Sequence, residues 1–127
     1  MNKRIIVLAA IFGALAVVLG AFGAHTIKKI IDEKHLEIWQ TGVQYHFYHT
    51  FALLFLATFG RFRNRIINFS SWCFVIGILF FSGSLYLLAL QDLLGINAKI
   101  LGPITPVGGF FFILGWLSLL IAALRDK

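Results

Sequence analysis

Four long stretches of this chain carry no charged side chain: Ile5–Ala24, Ile38–Gly60, Ile66–Gln91 and Ile100–Leu124. A helix needs roughly 20 residues to cross about 30 Å of hydrocarbon, so each stretch has the length of a membrane span. Inside lipid every backbone N–H and C=O has to be paired, and a helix does this within a single segment. Strand alternation is absent, which rules out a barrel. The sequence therefore predicts an all-α, integral membrane bundle of four transmembrane helices in a single domain, 1–127, with spans at about 5–25, 40–60, 67–91 and 106–124.

Composition agrees. Hydrophobic residues make up 60% of the chain, charged residues 13%, and the mean hydropathy is +0.91. A protein of 14.2 kDa has too little interior to hide this much apolar surface from water, so the bilayer is the partner the composition demands. The net charge of +6 does not indicate nucleic acid, because basic residues flanking apolar spans are what membrane topology requires. The single Cys73 cannot form an intrachain disulfide and is read as a small packing residue near the inner end of a helix.

The first stretch has features of a secretory signal: Asn2-Lys3-Arg4 precede an apolar run, and Ala14-Leu15-Ala16 has the small-x-small form of a cleavage site. A signal core is about 7–15 residues, whereas this run continues to Ala24, so it is read as a retained helix. Orientation follows from Lys and Arg. With the N-terminus inside, the inner set is Lys3, Arg4, Arg61, Arg63, Arg65, Arg125 and Lys127, and the outer set is Lys28, Lys29, Lys34 and Lys99. Every Arg then lies inside, both termini are cytoplasmic, and the expected location is a bacterial-type plasma membrane.

In the first outer segment, 25–42, Ile27, Ile30, Ile31 and Ile38 recur at helical spacing, with Lys28/Asp32 and Lys29/Glu33 on other faces. This predicts a short amphipathic segment lying in the headgroup region with Trp39 as interfacial anchor; the alternative is an outward extension of the second span. In the second outer loop, Thr105 suits an N-cap and Pro106 the first helical position. The same helix start could instead hold an anion. Small residues mark the helix seams: Gly13, Ala16, Gly20 and Ala24 in the first helix, Ser70, Gly77, Ser84 and Gln91 in the third, and Gly108, Gly115 and Ala122 in the fourth. Spacing by seven implies left-handed crossing at small angles, and spare glycine surface is available for a homo-oligomer.

Polar side chains gather toward the outer surface. His25 ends the first helix there, the second begins with Gln44, Tyr45, His46 and His49, and the third leaves past Ser82, Ser84, Tyr86 and Asp92. Ionisable groups at such depth normally face a bundle interior. One reading is mutual hydrogen bonding that fixes helix register. A second is a metal site, since His46-x-x-His49 places two imidazoles on one face and His25 or Asp92 could complete it. A haem held by His, or a polar pocket for a small molecule or proton, are further readings. No nucleophile with its base, phosphate loop or redox Cys pair is present.

Gly20-Ala21-Phe22-Gly23-Ala24-His25, Trp39, Gln44-Tyr45-His46-x-Tyr48-His49, Phe81-Ser82-Gly83-Ser84-Leu85-Tyr86, Gly102-Pro103-Ile104-Thr105-Pro106-x-Gly108-Gly109 and Gly115-Trp116 together resemble one family. It is the bacterial four-helix membrane proteins of unknown function, domain-of-unknown-function family 423, to which a small eukaryotic transmembrane protein is also related. The resemblance covers essentially the whole chain and implies a multi-pass plasma-membrane protein, with no substrate, cofactor or catalytic residue. The expectation is a non-enzymatic protein with no cofactor and no metal, structural or binding an unidentified small molecule. The competing expectations are a transporter or channel component acting as a homo-oligomer, and a metal- or haem-dependent membrane enzyme.

Overall fold

A computed structural model describes residues 2–58 and 65–125. Arg61, Arg63 and Lys127 of the inner basic set lie outside the described residues. Among those described, every long element is helical and no strand occurs.

Helix α1, Lys3–Ile30, opens on Asn2, whose side-chain oxygen accepts from the backbone N–H of Arg4 at 3.1 Å and Ile5 at 3.4 Å. Its Gly23–Ile27 turn is π-helical. Ile31 is extended (φ −127°, ψ 161°), which ends the helix. Asp32 then starts helix α2, Glu33–Thr58: its carboxylate accepts the His35 backbone N–H at 2.8 Å. Helix α3, Arg65–Ala89, contains a second π turn at Ile78–Ser82. Two short helices follow, α4 (Gln91–Leu94), stopped by Gly95 at φ 66°, and α5 (Ala98–Leu101), capped by the Asn97 side chain. Helix α6 is Ile104–Arg125.

The closest approaches run in chain order: α1 on α2, α2 on α3, α3 on α6. One apolar core includes Phe12 of α1, Leu53 and Leu56 of α2, Phe74 and Ile78 of α3, and Phe112 of α6. A smaller cluster of Ile27, Trp39 and Ala89 closes the end where α1 meets α2. The α3–α6 seam is the tightest. A Cβ on Gly108 would lie 2.2 Å from the Phe81 backbone nitrogen, and one on Gly115 would lie 2.6 Å from the Phe74 ring. Without side chains at these positions the two backbones close up, which is how helices associate where lipid gives no hydrophobic drive. Gly13 and Gly20 of α1 are different, since a Cβ there meets neighbours at an ordinary 3.5 Å.

Among the described residues three helical stretches, Lys3–Ile30, Arg65–Ala89 and Ala98–Arg125, are long and apolar enough to cross a membrane. Helix α2, at 26 residues, has the length but not the average apolarity. Its polar residues lower the average, and the deeper ones turn inward: Gln40 and Gln44 are exposed near its start, but His46, His49 and Thr50 are buried while Phe51, Leu54 and Phe55 face outward. Averaged composition cannot see that segregation. The outward face of α1 is likewise apolar, with Val7, Ile11, Leu15, Val18 and Phe22 exposed.

The amphipathic segment expected over 25–42 does not form as a separate element. Up to Ile30 the chain extends α1, and from Glu33 it belongs to α2, leaving a corner at Ile31 and Asp32. Lys28 and Lys29 make no ion pair with Asp32 or Glu33; the Asp32 carboxylate is drawn to His35 instead, at 2.6 Å. Trp39 is no interfacial anchor. It is buried, its indole N–H donates to the Leu19 carbonyl at 2.9 Å, and its ring occupies the space over Gly23.

Candidate functional site

The polar side chains of α2 and α3 face each other because Gly42, His46 and His49 recur at helical spacing on the buried side of α2. The structure sorts them into two groups rather than one cluster. In the first, His46 Nδ1 and the Tyr86 hydroxyl are 2.8 Å apart, joining α2 to α3. The Phe12 ring of α1 stands edge-on to the imidazole at 5.9 Å between centroids. The other ring nitrogen, Nε2, is buried with no hydrogen-bond partner among the described residues. One turn nearer the α2 start, the Ser82 hydroxyl donates to the Gly42 carbonyl at 2.7 Å. The Tyr86 ring lies over Gly42, where a Cβ would come within 2.9 Å of it. Glycine at this position is what lets the phenol reach His46.

His49 belongs to the second group, on the α6 side. A carbonyl oxygen only accepts, so the 2.7 Å contact of Nδ1 with the Tyr45 carbonyl places the proton on Nδ1. That leaves Nε2 bare to accept from the Trp116 indole N–H at 3.0 Å. Both nitrogens of a neutral imidazole are thereby used. The ring stacks on Phe112 with centroids 3.5 Å apart and planes 8° from parallel. His49, Tyr45, Tyr48, Phe81, Ile113 and Trp116 line an open lateral groove of about 500 Å³ between α2 and α6.

The hydroxyls serve as ties. Ser84 donates to the Phe81 carbonyl at 2.9 Å and meets the Thr105 hydroxyl at 2.6 Å, linking α3 to α6. Thr105 is therefore a cross-helix partner and not the expected N-cap, because α6 begins one residue earlier, at Ile104. Pro106 falls within the first turn, where its missing N–H costs no bond. Lower down, Ser70 donates to the Gly115 carbonyl at 2.8 Å, a second α3–α6 tie.

Three sequence-predicted members stand apart. His25 is exposed in the π turn of α1, and Gln44 is exposed on α2. Asp92 is exposed and reaches only His35, at 4.0 Å. His35 was not among the expected residues, yet it gathers the corner: Nδ1–H donates to Asp32 and Nε2 accepts from the Gln91 side chain at 3.2 Å. The backbone N–H of His35, and then its ring N–H, hold the Asp32 carboxyl below its ordinary value. The pattern Asp32-x-x-His35 at a helix start was a legible signal for that contact. Trp116 was also missed as a His49 partner, and no local signal pairs residues 67 positions apart.

Among the described residues no three His, Cys, Asp or Glu side chains come together closely enough to hold a metal ion. His46 and His49 point at different neighbours and do not form one donor set.

The family described as Protein of unknown function (DUF423) matches residues 19–109. The chain is 42% identical over 125 residues to the UPF0382 membrane protein YwdK of Bacillus subtilis, covering 97% of this chain and 98% of that one. It is 42% identical over 123 residues to a UPF0382 membrane protein of Staphylococcus epidermidis, covering 97% of each. A UPF0382 membrane protein of Haemophilus influenzae is 37% identical over 127 residues, covering 100% of this chain and 98% of that one. No solved structure matches the chain. Apolar helices of spanning length and bacterial relatives matched end to end lead to one conclusion: the chain belongs to the DUF423 (UPF0382) family of membrane proteins.

Proposed function

We propose that this is a non-enzymatic, multi-pass protein of the plasma membrane that crosses the bilayer four times with both termini cytoplasmic. Its buried His, Tyr and Ser side chains hold the helices in register, and the lateral groove beside His49 is where a small ligand would enter from the bilayer. The observation that carries this reading is that the buried polar groups, His46 Nε2 apart, are spent on one another and on backbone carbonyls: His46 Nδ1 on Tyr86, His49 on Tyr45 and Trp116, Ser82 on Gly42, Ser84 on Thr105, Ser70 on Gly115. A catalytic base or a metal ligand needs a free lone pair aimed at a substrate site, and His49 has none to offer. The groove has the size of a small-molecule site and is lined mainly by aromatic rings. The burial of His46, His49 and Thr50 in α2, with Phe51, Leu54 and Phe55 outward, supports a fourth crossing.

Elemental and optical analysis of protein purified from native membranes tests the reading, together with His49→Gln and His49→Leu. An amide both donates and accepts, so Gln retains most of the thermal stability, while Leu strands the Trp116 indole and the Tyr45 carbonyl and costs more. Metal near one equivalent per chain, or a haem spectrum, lost with His49→Gln, would overturn it.

A further inference from the structure

At the opposite end of the bundle from the Ile31–Asp32 corner, α1 and the start of α3 leave a crevice of about 220 Å³. Its polar wall is Asn2, Arg4, Asn68 and Ser71, and its apolar wall includes Leu8 and Val75. Across Arg4, Leu8 and Trp72 it runs into an open groove of about 500 Å³, bounded also by Lys3 and Val7. One continuous surface thus joins two cationic side chains to an apolar trough. Trp72 stands exposed along it, one helical turn from Asn68.

Among the described residues the charges lining this mouth have one sign. No carboxylate among the described residues pairs with Lys3 or Arg4, the ion pairs found there being those of His35 at the other end. The Arg4 and Ile5 N–H groups at the start of α1 are already taken by the Asn2 side chain, so attraction for an anion comes mainly from the Lys and Arg side chains. Asn68 is exposed and adds an amide donor beside them. Ser71 contributes no free proton, since its hydroxyl donates to Ile67.

We propose that this crevice binds one anionic glycerophospholipid, its phosphate held by Lys3, Arg4 and Asn68 and one acyl chain lying on Val7, Leu8 and Trp72. A free anion would use only the cationic mouth and leave the trough wet. A zwitterionic lipid would bring a positive group toward two positive side chains. An anionic headgroup with its chain satisfies both parts, and the site lies at a helix end, where headgroups are found. The assignment does not depend on which leaflet that end faces.

The test is native mass spectrometry and thermal unfolding of the full chain in detergent, titrated with phosphatidylglycerol, phosphatidylcholine or inorganic phosphate. Phosphatidylglycerol should be retained at one per chain and raise the midpoint. Lys3→Gln with Arg4→Gln should weaken that binding by roughly tenfold or more, whereas Arg125→Gln, an exposed cation on α6, should leave it unchanged. Trp72→Ala should weaken it through the chain. Unfolding midpoints without lipid show whether each variant is folded, and Arg4→Gln alone serves if the double variant is not. Equal retention of phosphatidylcholine, an equal loss in Arg125→Gln, or inorganic phosphate stabilising as well as the lipid would each overturn the proposal.

Discussion

The Tyr86 hydroxyl meets His46 Nδ1 at 2.8 Å, across a gap that exists because residue 42 has no side chain. Three residues on two helices make this contact, and each needs the others. Tyr86→Phe removes the oxygen and leaves the buried His46 Nδ1 without its partner. The expected cost is about 1–3 kcal/mol in equilibrium unfolding from detergent. In a double-mutant cycle, His46→Leu with Tyr86→Phe should be less destabilised than the sum of the single changes. Strict additivity would mean that the pair does not interact.

Glycine seams give opposite signs at different positions. Gly108→Ala drives a methyl into the Phe81 backbone, which no rotamer change relieves, and should cost at least about 1–3 kcal/mol. Gly77→Leu collides with the Phe112 ring and should also destabilise, whereas Leu79→Ile, on an exposed residue, should not. Gly13→Ala meets only ordinary contact with Thr50 and removes a helix-interior glycine, so it should be neutral or stabilising by up to about 1 kcal/mol. Unfolding midpoints of the four variants in one detergent decide it. Equal loss at Gly13 and Gly108 would contradict the packing described.

The Ile31–Asp32 corner should be acid-labile. The Asp32 carboxyl is held below its ordinary value of 3.8 by the His35 backbone and ring N–H groups. A depressed folded value means that the stabilisation is present in full above the ordinary value and is lost as pH falls through the folded one. Asp32→Ala should therefore lower the unfolding midpoint at neutral pH and make little difference at pH values well below 3.8. A pH-independent gap between the two proteins would contradict this.

The helical architecture was legible because charge-free length is a direct physical requirement of lipid, and glycine spacing marks close approach. Gly77, Gly108 and Gly115 were picked out by their spacing and do sit in the seam. Deep polar residues on one face of α2 were legible for the same reason: Gly42, His46 and His49 share a helical stripe. Their partners were not. Whether an imidazole turns toward α3 or α6 is set by tertiary packing, so His46 and His49 separated into two groups that spacing alone had merged. His25 was drawn into the cluster by its position at a helix end, but a π turn leaves it outside. Trp39 carried the composition of a membrane-interface residue, and the glycine it covers lies 16 positions away in a different helix.

Topology of α2 is the most direct test of the central claim, that this helix crosses the bilayer despite its polar content because its deeper polar residues, His46, His49 and Thr50, face inward. In a Cys73→Ser background, Lys34→Cys and Asn64→Cys are treated with an impermeant thiol reagent in intact cells and again after permeabilisation. Four crossings with a cytoplasmic N-terminus predict that Lys34→Cys is labelled in intact cells and Asn64→Cys only after permeabilisation. Labelling of both positions in intact cells would place both ends of α2 on one side and contradict the account.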